Sequence, residues 1–62
     1  MQPLLRIEDT QQMLGGMSRS YVYELIAKGE LETVKLGSSR RVLPASVEQF
    51  IERRRESQRV AS

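Results

Sequence analysis

Apolar positions along the 62-residue chain change their period twice. In IEDTQQML, residues 7–14, the positions Ile7, Thr10 or Gln11, and Leu14 recur at helical spacing, which predicts a short first helix. Gly15-Gly16 stops it, because a glycine pair readily takes positive φ. Ser18 then stands at the N-cap of RSYVYELIAKG, in which Val22, Leu25 and Ile26 share one face and Gly29 marks the end. From Thr33 the period falls to two. Val34 and Leu36 alternate with Thr33 and Lys35, and RRVL returns after a Gly-Ser-Ser turn, so residues 33–43 read as a hairpin that Pro44 ends. The helical period resumes in ASVEQFIERRRES from Ala45 or Ser46, with Ser46 and Gln49 at capping-box spacing and Val47, Phe50 and Ile51 as the inward stripe. Residues 57–62 carry no periodicity and are expected to fray as a tail behind a domain spanning 1–56.

Two helices joined by a short turn containing glycine are the signature of a helix-turn-helix. Helix, helix, two-stranded β wing and C-terminal helix together predict a small α+β winged helix-turn-helix. Because an isolated hairpin is marginal in water, Val34, Leu36 and Val42 are expected to pack on Leu25, Ile26 and Phe50. A chain of this length buries only about 60% of its unfolded surface, which leaves no room for a substrate-sized cleft between layers.

Composition narrows the function. The chain has no Cys and no His, so disulfides, thiolate or zinc sites and most general-base chemistry are excluded, and no metal or cofactor is expected. Ser18, Ser20, Ser38 and Ser39 have no histidine to activate them, which argues against an enzyme and against a small-molecule substrate. No apolar run approaches the roughly 20 residues of a membrane span and no signal-peptide pattern opens the chain. A cytoplasmic binding module is the expectation.

Net charge is +2 but is unevenly placed. Residues 1–34 carry Arg6, Arg19 and Lys28 against Glu8, Asp9, Glu24, Glu30 and Glu32, net −2. Residues 35–62 carry Lys35, Arg40, Arg41, Arg53, Arg54, Arg55 and Arg59 against Glu48, Glu52 and Glu56, net +4. Arginine dominates the basic half, and its planar fork suits phosphate and guanine. At about 100° per residue from Val22, Ser20 and Glu24 fall on the outward side of the second helix, with Tyr23 to one side and Tyr21 and Lys28 to the other. Ser18, Arg19, Ser20, Tyr21, Tyr23, Glu24 and Lys28 are therefore candidate base and phosphate contacts. Lys35, Ser38, Ser39, Arg40 and Arg41 are the candidates on the wing, and Arg53, Arg54 and Arg55 are candidates for protein or DNA contacts. Plainer readings stay open: Glu24 with Lys28 as a surface pair, Tyr23 as a partly buried ring, and Arg40 and Arg41 as charges that blunt a sheet edge.

Leu4 to Arg54, above all SRSYVYELIAKGEL and VKLGSSRRVLPASVEQF, resembles the excisionase-family DNA-binding domain, a compact MerR-like winged helix-turn-helix. The resemblance implies a second helix in the major groove, with Arg19, Ser20, Tyr23 and Glu24 at the reading positions. It implies a wing on the adjacent minor groove or its phosphates, carrying Ser38, Ser39, Arg40 and Arg41. It also implies a recombination directionality factor of a phage or mobile element in a bacterial host, nucleoid-associated when bound. Such a protein binds attachment-site DNA as several neighbouring copies and bends it for a phage-type integrase, with Arg53, Arg54 and Arg55 expected to meet Glu30 and Glu32 of the adjacent copy. A small transcriptional regulator acting on operator DNA, or a packaging terminase subunit, uses the same domain, although MerR-type regulators usually append a dimerisation helix and an effector domain. A different class is an adaptor whose arginine-rich C-terminal helix binds an acidic partner rather than DNA. The chain departs from the family at Arg6, where a Thr or Ser cap is usual, at Thr10 and Gln11, where small residues are usual, and at Gly16, which lengthens the turn.

Overall fold

The computed structural model describes residues 3–61. They form α1 (Ile7–Met13), α2 (Arg19–Ala27), β1 (Thr33–Leu36), β2 (Ser39–Val42) and α3 (Pro44–Ala61). Helix, helix, hairpin, helix is the order of a winged helix-turn-helix.

The unusual residues around α1 each do a local job. The Asp9 carboxylate accepts the Arg6 N–H at 3.1 Å, and Glu8 and Asp9 place negative charge at the positive end of the helix dipole. Thr10 is fully buried, and its Oγ1 donates to the Arg6 carbonyl at 2.9 Å, so a polar side chain enters the core already satisfied. Gln11 Nε2 donates to the Met17 carbonyl at 3.1 Å and braces the turn. Within that turn the Gly15 N–H bonds the Gln12 carbonyl at 3.0 Å and the Gly16 N–H bonds the Gln11 carbonyl at 2.8 Å, the paired bonds of a Schellman motif. Both glycines hold positive φ, 81° and 88°, which side chains resist.

Ser18 caps α2 as expected, its Oγ accepting the Tyr21 N–H at 3.1 Å. Val22 and Leu25 are buried and Ile26 is half-buried. A second Schellman pair, Gly29 N–H to Ile26 O at 3.1 Å and Glu30 N–H to Leu25 O at 2.9 Å, ends α2 and leads into buried Leu31. Leu31 joins Ile7, Val22, Leu25, Val42, Val47 and Phe50 in one contiguous core.

The hairpin is where packing departs from expectation. Its turn is two residues, Gly37-Ser38, and Ser39 already pairs with Leu36. Gly37 has φ 63° and Ser38 does not share the positive sign, which fits a type II′ turn with glycine first. The register sets Thr33 opposite Val42, Val34 opposite Arg41 and Lys35 opposite Arg40. Directly paired residues share a face, so Val42 lies with Thr33, Lys35 and Arg40, while Val34 and Leu36 lie on the other side. Val42 is fully buried, and Leu36, expected in the core, is 57% exposed. A three-residue Gly-Ser-Ser turn would have put Val34, Leu36 and Val42 together, and the slip of one residue reverses the face.

Two further ties hold the hairpin. Leu5 and Val42 exchange backbone hydrogen bonds, N–H to O at 2.9 Å and 2.8 Å, so the segment before α1 pairs with the free edge of β2. Ser46 is no helix cap: Pro44 occupies the first turn of α3, and buried Ser46 Oγ accepts the Glu32 N–H at 3.1 Å and donates to the Leu43 carbonyl at 2.7 Å. It clamps the approach to β1 onto the start of α3. That helix continues through Ala61, past the point where the apolar pattern stops at Ile51. No Gly or Pro follows Pro44 before its end, and the Glu52–Arg55 and Glu56–Arg59 pairs, 3.5 Å and 3.6 Å, support the exposed turns.

Candidate nucleic-acid interface

The outward side of α2 is built from short polar side chains with aromatic and charged neighbours. Ser20, Tyr23, Glu24 and Lys28 are all exposed, and Tyr23 keeps 45% of its surface. Glu24 Oε2 and Lys28 Nζ pair at 3.2 Å in the open, an interaction worth little that a ligand can exchange at small cost. Arg19 opens the helix beside Ser18, whose Oγ already serves the cap while its hydroxyl hydrogen stays free to donate. Tyr21 belongs elsewhere. It is half-buried, packs on the core and lines a groove with Phe50 and Ile51.

On the wing, the register brings Lys35 and Arg40 directly opposite each other. Like charges so placed repel, and among the described residues no carboxylate lies within ion-pair distance of Lys35, Arg40 or Arg41. Arg40 Nη1 donates to Thr33 Oγ1 at 2.9 Å, which fixes the guanidinium without neutralising it. Arg41 Nη1 donates to the Arg40 carbonyl at 3.1 Å. Successive strand residues point to opposite faces, so the two adjacent arginines straddle the hairpin instead of forming one cluster. Ser38 is exposed in the turn, whereas Ser39 is half-buried at the first strand position. Thr33 escaped sequence reasoning. Its signal was the turn length, because counting outward from Gly37-Ser38 places Thr33 diagonal to Arg40.

The three arginines of α3 separate. Arg53 Nη2 meets Glu30 Oε1 at 3.1 Å and the Glu30 carbonyl at 3.4 Å within the same chain. Within one chain this pair ties α3 to the end of α2. Arg54 lies over the Phe50 ring, 5.7 Å from its centroid, and Arg55 pairs with Glu52.

The sequence profile of the helix-turn-helix domain family matches residues 4–55. The chain belongs to this helix-turn-helix domain family. No curated protein and no solved structure matches it. A helix-turn-helix domain implies double-stranded DNA as its ligand. Among the described residues no group of three or more His, Cys, Asp or Glu could hold a metal ion, and no helix is long and apolar enough to cross a membrane.

Proposed function

We propose that the protein is an excisionase-type recombination directionality factor that reads DNA with α2 and holds it with the wing. One observation carries the docking: Lys35 and Arg40 face each other without a carboxylate, an arrangement that costs stability in the free protein and is relieved by a polyanion. In this reading Ser20 and Glu24 enter the major groove, Glu24 accepting from a cytosine amino group, and Arg19 meets a phosphate. Tyr23 adds a backbone contact. Arg40 and Arg41, on opposite faces of the hairpin, reach the two walls of the adjacent minor groove, whose negative potential attracts guanidinium.

So small a reading face specifies few base pairs, so selective action requires several copies on adjacent sites, bending the DNA into the geometry that a phage-type integrase needs for excision. The resemblance of Leu4–Arg54 to excisionase domains supports this step. The test selects a binding site from random duplexes, measures the bend by circular permutation on one and two tandem copies, and adds the protein to an integrase-dependent excision reaction. Cooperative filling, a bend that grows with copy number and stimulated excision are expected. A straight duplex with independently filled sites would refute the excisionase assignment while leaving DNA binding intact.

A further inference from the structure

An apolar groove of about 580 Å³ lies between the α1–α2 corner and α3, bordering the Ser20 and Glu24 side at Tyr21. Its floor is Met13, Leu14, Met17, Tyr21, Phe50 and Ile51. Met13 and Met17 are 38% and 41% exposed, unusual for side chains that pack so readily. Arg54 and Arg55 stand along the rim, and among the described residues no carboxylate lines it. Residues 52–59 of α3 are all exposed, and Arg53 ties this stretch to Glu30 beyond the end of α2.

We infer that this groove docks an amphipathic helix of another protein, one whose apolar stripe is flanked by Asp or Glu. The floor asks for aliphatic or aromatic side chains, and Met adapts to their shape. The rim sets the sign. Arg54 has Phe50 but no ion-pair partner among the described residues, and Arg55 has only an exposed bond to Glu52, so both guanidinia are free to meet carboxylates. DNA fits the arginines but not the floor. A second copy fits poorly, because among the described residues the other exposed large apolar side chains, Leu4, Tyr23 and Leu36, sit on separate segments and form no helical stripe. Tyr21 lies about 100° around α2 from Ser20 and about 60° from Glu24, so the groove borders the reading face.

The test titrates methyl-labelled protein with two synthetic helices of about 15 residues, long enough to be partly helical alone. They share Leu and Phe at i, i+3, i+4 and i+7 and differ only in carrying Glu or Lys beside that stripe. Methyl shifts at Met13 and Met17 should move with the acidic peptide, which should bind about tenfold more tightly than the basic one. The R54E/R55E protein, checked for fold by circular dichroism, should reverse that preference. Equal binding of both peptides, shifts that avoid the two methionines, or a preference unchanged by R54E/R55E would overturn the proposal. Concentration-dependent shifts of the same methionines without peptide would assign the groove to a second copy and overturn it equally.

Discussion

Replacing Arg40 and Arg41 together with alanine isolates the electrostatic share of DNA binding. Four cations on α2 and the wing, Arg19, Lys35, Arg40 and Arg41, lack a carboxylate partner among the described residues, whereas Lys28 has Glu24. If each of the four meets one phosphate, the slope of log affinity on log salt is about −3.6, and it falls to about −1.8 in the double variant. Raising salt from about 50 to about 200 mM then weakens the parent roughly 150-fold and the variant only about 12-fold. Folding is hardly involved. The Arg40 bond to Thr33 is exposed and Arg40 opposes Lys35, so stability should change by less than about 0.5 kcal/mol. Fluorescence anisotropy of a labelled duplex over a salt series reads the slopes, with a thermal melt of each protein as the fold control. Parallel slopes for parent and variant would remove the wing from the interface.

Glu24→Ala should cost about 1–3 kcal/mol on the selected site and relax preference at one base pair; an unchanged motif in a repeated selection would reduce Glu24 to the Lys28 pair it makes in the free protein. Ser46→Ala strips the partner from a partly buried Glu32 N–H, a loss of about 2 kcal/mol that should lower Tm by about 8–16 °C, and a melt within a degree of the parent would show the clamp to be dispensable. Gly16→Ala at φ 88° should cost about 1 kcal/mol or more in chemical denaturation despite the open space around it. Arg53→Ala breaks an exposed pair with Glu30 and should change stability by under about 1 kcal/mol, leaving tandem-site cooperativity intact; lost cooperativity would place Arg53 in a contact between copies.

Local signals carried the element order well. Ser18 before an apolar period, glycines after α1 and α2 and the alternation from Thr33 all act through short-range backbone geometry, which neighbouring residues alone determine. Facing was harder to read. Periodicity marks Val34 and Leu36 as apolar and alternating, but only the turn length decides that Val42 lies on the opposite face from both. Long-range ties left no local trace: the Leu5–Val42 bridge and the Ser46–Glu32 bond join residues 37 and 14 positions apart. At the candidate site, Ser20, Tyr23 and Glu24 were legible because helix geometry fixes their angle, whereas Tyr21, close to the boundary of that face, was drawn inward by Phe50 and Ile51.

The Leu5–Val42 bridge gives the wing a hinge that is fastened on both sides. Val42 bonds Leu5 across one edge and belongs to the β1 pairing on the other, so the root of the hairpin is a middle strand and only its outer part is a lever. From Val42 to the turn the lever is about four residues, roughly 13 Å. A force on Arg40 and Arg41 would therefore pass into the start of α1 through Leu5, and from α1 through its packing into α2. Second helix and hairpin are thus joined as one bracket, and, under the proposed docking, loosening the Leu5 bridge would slacken the grip on DNA without removing a single contact to it.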